Sequence, residues 1–411
     1  MPSVGVVISK LCSAHNAHVC MDDVPADSIF DLPPRTARLL SELRAGNHYE
    51  VVQSERSASD AELTRRGVTS RAYLRYLKQL TRSLRKWQKD AQKWSAGSTA
   101  TCEYRYLDKD STTLYTATSE AAARSAVGAT LEATERVFHG EWRHGFACVR
   151  PPGHHNGCSE FLEQRETKGY LFACHGGCIL NETAVAVRHV QQLATKGSES
   201  LVFRVAIVDI DVHFGDGTAL TFYDDASVLH ISLHLDQSDN RMFPFLVGKA
   251  EERGVAQGRG FTINLPLPEG AGDAAAYDIF AHCGLPALRR FRPQMIFLSC
   301  GFDGMLGDPT GANMLFTPDF YGRVAAVCAE ICSVVATLQG GYNAENVVHG
   351  TQSVLRALYS GLEQPADSTD VAAVDFVPIR AIQKKLGDEP GWWELEASFE
   401  HGLQSDSESS Q

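Results

Sequence analysis

The stretch Val205-Ala-Ile-Val-Asp-Ile-Asp-Val-His-Phe-Gly-Asp-Gly217 constrains this chain more than any other. Its first half is an apolar, β-branched run that reads as a buried strand. Asp209, Asp211 and His213 follow at alternating positions, and side chains two apart on a strand share a face. Two carboxylates that close repel unless a cation or an imidazolium lies between them. An Asp-x-His pair offers the oxygen and nitrogen donors zinc prefers, and a catalytic zinc needs only three protein ligands and a water. The same residues also read as a plain strand-end turn, with Asp216 capping the next helix. Open parallel sheets bind ligands at the carboxyl ends of their strands, so the other strand ends decide between the two.

The pattern elsewhere is that of an α/β chain. Apolar runs at Val4–Ser9, 146–150, 227–233, 261–267, Met295–Cys300 and 334–338 read as strands. Helical patterns lie among them at 32–44, 62–94, 120–138, 178–194, 273–291, 318–332 and 345–362. That alternation implies a single domain with a central, mainly parallel β-sheet sandwiched by helices. Its expected bounds are 1–362, followed by an extension packing on it over 363–402. A Ser/Asp/Glu/Gln tail over 403–411 has the composition of disorder.

With 411 residues and 44% hydrophobic content, the chain can bury a large core. No apolar run approaches the length of a membrane span, and the N-terminus lacks a signal-peptide pattern. Eleven cysteines, an odd number with no CxxC pair, argue for reduced thiols and an intracellular setting, nuclear or cytoplasmic. A net charge of −12 disfavours nucleic acid as the main partner and suits a cationic substrate such as a lysine-rich segment. The 62–94 segment departs from this balance. Tyr73, Leu77, Leu80, Leu84, Trp87, Ala91 and Trp94 form a stripe flanked by Lys and Arg, which packs on the body or receives a partner helix over 71–94. Cys12, His15, His18 and Cys20 do not have the spacing of a zinc knuckle and read as loop residues.

Three further strand ends carry polar, glycine-bearing loops. One runs Arg150-Pro-Pro-Gly-His-His-Asn156, with adjacent imidazoles after a rigid turn. Such a pair makes sense where each imidazole is held by its own acid, one as proton shuttle and one as electrostatic support. Asp209 and Asp216 are the spare acids once Asp211 takes a metal. Another loop supplies Asp303, and Gln339-Gly340-Gly341-Tyr342-Asn343 exposes a phenol at a glycine turn. Together these make one metal site with ligands, base and electrophile.

The motifs Arg-Pro-Pro-Gly-His-His, Asp-Ile-Asp-Val-His-Phe-Gly-Asp-Gly, Gly-Phe-Asp-x3-Gly-Asp-Pro and Gly-Gly-Tyr-Asn closely resemble those of the zinc-dependent histone deacetylases, within the arginase/deacetylase fold. The loop at 150–155 is similar to the class II form, while Asp216 resembles class I. The resemblance implies that Asp211, His213 and Asp303 hold one Zn2+. It implies His155 as general base and acid, oriented by Asp216, and His154 as its partner, held by Asp209. Tyr342 would donate to the acetyl oxygen. Phe243, Phe316, Gly176, Gly177, Gly340 and Gly341 would line the acyl-lysine channel, Asp108 would grip the substrate backbone at the rim, and Arg38 would sit behind the site. K+ would bind an inner set of Asp209, Asp211 and Ser232 and an outer set of Phe222, Asp225 and Val228. The implied substrate is an acetylated lysine on a histone or another protein, and the implied inhibitors are hydroxamates.

The chain departs from that family in four places. The link from His155 to Gly176 is long, and its segment 156–175, with Cys158, Cys174 and His175, reads as a lid, a redox thiol pair or a surface loop. Gly176-Gly177-Cys178 stands where the family carries Gly-Phe-Cys, so an aromatic wall is expected to be missing and the channel wider. Phe214 replaces a frequent second His, and no His-Pro-Glu precedes Arg35. Two other readings compete: an amidohydrolase of acetylpolyamines or guanidino compounds, and a catalytically silent scaffold that binds acetylated partners.

Overall fold

A computed structural model describes residues 4–15, 31, 33–45, 49–94, 104–108, 111–157, 174–195, 202–237 and 243–360, with backbone alone at 91–94. His18, Cys20, Cys158, most of the 156–175 segment, the 363–402 extension and the 403–411 tail lie outside the described residues.

Eight parallel strands form one sheet in the order β2 (Glu50–Ser54), β1 (Val4–Ser9), β5 (His144–Cys148), β10 (Ser333–Leu338), β9 (Met295–Cys300), β6 (Val205–Asp209), β7 (Val228–Leu235), β8 (Thr262–Leu267). Parallel strands need crossover connections, and the helices between them cover both faces. Alternation within a strand shows this directly. Ala206 and Val208 enter the core beneath helices Pro318–Ile331 and Ala344–Ser360, while Val205 and Ile207 enter the core beneath Ser119–Phe138 and Glu182–Thr195. A separate two-stranded ribbon, β3 (Tyr104–Tyr106) with β4 (Leu114–Thr116), lies beside this body.

Several expectations need correction. The 62–94 helix is in fact two. Ser59 and Glu62 close a capping box on Asp60–Leu63, a left-handed Arg66 (φ 47°) breaks the chain, and a long helix runs from Arg71 to Trp94. That helix buries Tyr73, Leu74, Leu77 and Leu84, and Tyr73 donates its hydroxyl to the Ile179 carbonyl at 3.0 Å. Its stripe therefore packs on the body over its first half, whereas Trp87 is 38% exposed. The helix expected from Cys178 begins only at Glu182, because the Asn181 side chain accepts from Ala184 N and caps it there. Strand β6 ends at Asp209, so Asp211 and His213 stand on the loop beyond it.

Candidate metal centre

The four loops singled out by sequence leave four adjacent strands, β5, β10, β9 and β6, at their carboxyl ends. Because the strands are parallel, loops far apart in sequence meet over one patch of the sheet edge.

His213 Nδ1 lies 3.3 Å from Asp211 Oδ1 and 3.1 Å from Asp303 Oδ2, and all three residues are buried. Four ligands at about 2.0–2.1 Å in a tetrahedron stand roughly 3.3 Å apart, so these separations fit a zinc-sized ion. The remaining oxygens are already spoken for: Asp303 Oδ1 accepts from Val212 N at 3.0 Å, and Asp211 Oδ2 accepts from Gly340 N at 2.7 Å. Only glycine fits at 340, since a Cβ there would lie 2.1 Å from Asp303 Oδ2 and 2.4 Å from Asp211 Oδ2. The charges ask for a cation. Burial and the Asp211 charge push the Asp303 carboxyl up. Burial opposes the Asp211 charge, but His154 and His213 outweigh it and hold that carboxyl low. A second group, His155, His175 and Asp216, also has metal-type donors. There the contacts are 2.7 and 2.8 Å, the spacing of hydrogen bonds.

Beside the ligands stand the two imidazoles, their ring centroids 4.0 Å apart. His154 Nδ1 is 3.1 Å from Asp209 Oδ2, and His155 Nδ1 is 2.8 Å from Asp216 Oδ1. Their environments push them in opposite directions. Burial would lower His154, yet Asp211 and Asp209 raise it to about 9. Burial and the neighbouring His154 press His155 down to about 3, so it is a neutral imidazole near pH 7. Asp216 opens the helix Asp216–Thr221, but its side chain serves His155 and not the helix end, so the capping role does not hold.

The turn carrying Tyr342 is fixed from two sides. Asp308, from the Gly-Asp-Pro motif, accepts from Tyr342 N at 2.7 Å and from Asn343 N at 2.9 Å. From behind, Arg35 donates to the carbonyls of Gln339 and Gly341, and its guanidinium stacks 5.0 Å from the Tyr342 ring centroid. The expectation for Arg38 is thus wrong: that side chain is half exposed and pairs with Glu42 and Glu345. The two arginines lie one helical turn apart, on Pro34–Ala45, and only Arg35 faces inward. Arg35 and the buried Arg150 share Asp31, at 3.0 and 2.7 Å.

The expected channel residues divide. The Phe243 ring stands 5.1 Å from His155 and 6.2 Å from His213, over the centre. Phe316 is not brought there. It is buried beneath Gly304 and packed on Phe320 at 4.7 Å, because the Asp303 loop folds over it. Asp108 turns its carboxylate on its own loop, accepting from Thr112 N and Thr113 N. Gly176 and Gly177 are both left-handed, and the ring of His175 just before them meets Phe243 at 4.6 Å.

For the expected potassium sets, Asp209 and Ser232 face each other across β6 and β7. Around the outer set, whose expected donors are backbone oxygens, the Arg188 guanidinium lies 4.6 Å over the Phe222 ring and pairs with the Asp225 carboxylate. Sequence reasoning missed Arg35, Asp31, Gln339 and Glu182; only the polarity of Gln339 and Glu182 beside buried elements could have flagged the last two. Cys12 and His15 are buried and bonded to Thr36 and Ser119, as loop-anchoring residues.

The chain as a whole is similar to known proteins. The family model described as the histone deacetylase domain matches residues 31–358. The chain is 36% identical over 248 residues to "Polyamine deacetylase HDAC10" of Homo sapiens, covering 59% of this chain and 34% of that protein. It is 33% identical over 277 residues to "Histone deacetylase 15" of Arabidopsis thaliana, covering 67% and 45%. The solved HDA15 HD domain superposes with a TM-score of 0.77 at 26% identity, covering 98% of each chain. This chain thus spans between a third and a half of the length of these two full-length relatives.

Proposed function

The chain belongs to the histone deacetylase family, and from that premise we propose that it is a zinc-dependent amidohydrolase that removes the acetyl group from N6-acetyl-lysine in a protein segment. The observation that carries this reading is the convergence of Asp211, His213 and Asp303 beside a neutral, carboxylate-held His155.

Asp211, His213 and Asp303 would hold the ion. When bound, zinc supplies Lewis-acid polarisation of the amide carbonyl and an acidified water. His155, neutral and tethered through Nδ1, presents Nε2 to take a proton from the attacking water and to return it to the leaving lysine amine. Asp216 fixes the tautomer that makes this possible. His154, held by Asp209 through Nδ1, stands beside His155 as its electrostatic partner next to the developing oxyanion. The Tyr342 hydroxyl, whose phenol is kept protonated mainly by burial, donates to that oxyanion from the opposite loop. K+ at the inner set of Asp209, Asp211 and Ser232 and at the backbone oxygens of Phe222, Asp225 and Val228 belongs to the same reading.

A zinc determination on the purified chain, with turnover of a fluorogenic acetyl-lysine peptide and Tyr342→Phe as control, tests this. Zinc without turnover would favour a silent acetyl-lysine-binding scaffold. The name of the human relative supports a second reading, hydrolysis of an acetylated linear polyamine, and the same assay with acetylspermidine in place of the peptide separates the two.

A further inference from the structure

His175 is the residue at this centre that the reaction described above does not use. Its Nε2 is 2.7 Å from Asp216 Oδ2, while His155 Nδ1 is 2.8 Å from Oδ1, so one carboxylate holds two imidazoles, one on each oxygen. The His175 ring meets Phe243 edge to face, centroids 4.6 Å apart at 74°, and lies 5.2 Å from the His155 ring. At that distance the two rings are in contact, and no acyl chain passes between them.

The local chain explains how the ring gets there. Gly176 (φ 60°) and Gly177 (φ 77°) are successive left-handed residues, a conformation costly for any side chain. Thr112 and Thr113 hold the turn by accepting from Gly176 N at 2.7 Å and Gly177 N at 3.1 Å. Nor would a side chain at 177 replace the wall: its Cβ would point towards Asp31 and Pro152, each 3.9 Å away.

We propose that His175 is a specificity-determining residue, an imidazole wall beside Phe243 that restricts the channel to short, unbranched acyl groups. Pinned by a hydrogen bond at its tip and by ring packing along its edge, the wall cannot turn aside without giving up both contacts. In a tight apolar pocket one misplaced methylene is worth about 10–200-fold in kcat/KM.

The proposal rests on the deacetylase reading, and its test separates the two. Acetyl- and isobutyryl-lysine peptides are compared as a kcat/KM ratio in the zinc-loaded wild type, His175→Ala, His175→Phe and His175→Asn. In parallel, calorimetry gives the Kd ratio of a linear to a branched alkyl hydroxamate. Both ratios should shift tenfold or more towards the branched ligand in His175→Ala and in His175→Asn, which keeps a donor for Asp216 but loses the ring. In His175→Phe, which restores a ring, they should return to within threefold of wild type. Ratios unchanged in both the Ala and Asn variants, with zinc content intact, overturn the wall. Should the wild type turn over neither peptide, the deacetylase reading falls, and the hydroxamate ratios still decide the role of His175.

Discussion

Gln339 donates its side-chain amide to the buried carboxyl of Glu182, directly behind the loop that carries His154 and His155. The other end of the same amide accepts from Gly153 N at 3.1 Å and His154 N at 3.2 Å. One side chain thereby ties the end of β10 to the imidazole loop after β5 and to the helix Glu182–Thr195. Glu182 Oε2 has no hydrogen-bond partner among the described residues, and burial pushes the carboxyl up to about 7.

This gives a pH dependence of stability. The folded value lies above the ordinary 4.5, so the contribution is whole below about 4.5 and is lost as pH rises through about 7. The difference of about 2.5 units corresponds to about 3 kcal/mol. Glu182→Gln, neutral at every pH, should match wild type at pH 4.5 and exceed it by about 2–3 kcal/mol at pH 8.5 in urea unfolding. An equal gap at both pH values would show that Glu182 is not the titrating group.

Removing a ligand should empty the centre. His213→Ala leaves Asp211 and Asp303 facing each other with no third donor. Zinc in the purified chain should fall from about one per molecule to below about 0.1, with turnover at least 10³-fold lower. Wild type should gain about 4 kcal/mol in stability at zinc a thousandfold above Kd, a gain the variant lacks. Full zinc occupancy in His213→Ala would move the ion elsewhere.

Tyr342→Phe removes one hydroxyl and no ligand. Zinc content and melting temperature should stay near wild type while kcat drops about 10²–10³-fold and KM changes little. A loss confined to KM would place Tyr342 in ground-state binding and not at the oxyanion.

Arg35 and Arg38 are chemically identical and one turn apart, yet their removal should differ sharply. Arg35→Ala strips two carbonyls of a donor and leaves Asp31 with Arg150 as its remaining guanidinium, so about 3–5 kcal/mol of stability should go. Arg38→Ala loses only half-exposed ion pairs, worth less than about 1 kcal/mol. Chemical denaturation of both variants checks this, and equal losses would refute the assignment.

The sequence by itself determined the parallel α/β sheet, since its apolar runs admit burial on both faces and little else. It also singled out Asp211, His213 and Asp303 as candidate ligands, with His154, His155 and Tyr342 on neighbouring strand-end loops. What only the tertiary structure decided are the contacts that depend on direction rather than on order. Arg35 and not Arg38 reaches Tyr342, because a helix turns 100° per residue and only the packed body says which side is inward. Phe316 sinks beneath the Asp303 loop, and Asp216 serves two imidazoles in place of a helix end. The ring of His175, just before the two glycines, meets Phe243, for left-handed backbone turns His175 inward, and no spacing rule records where a side chain goes after such a turn.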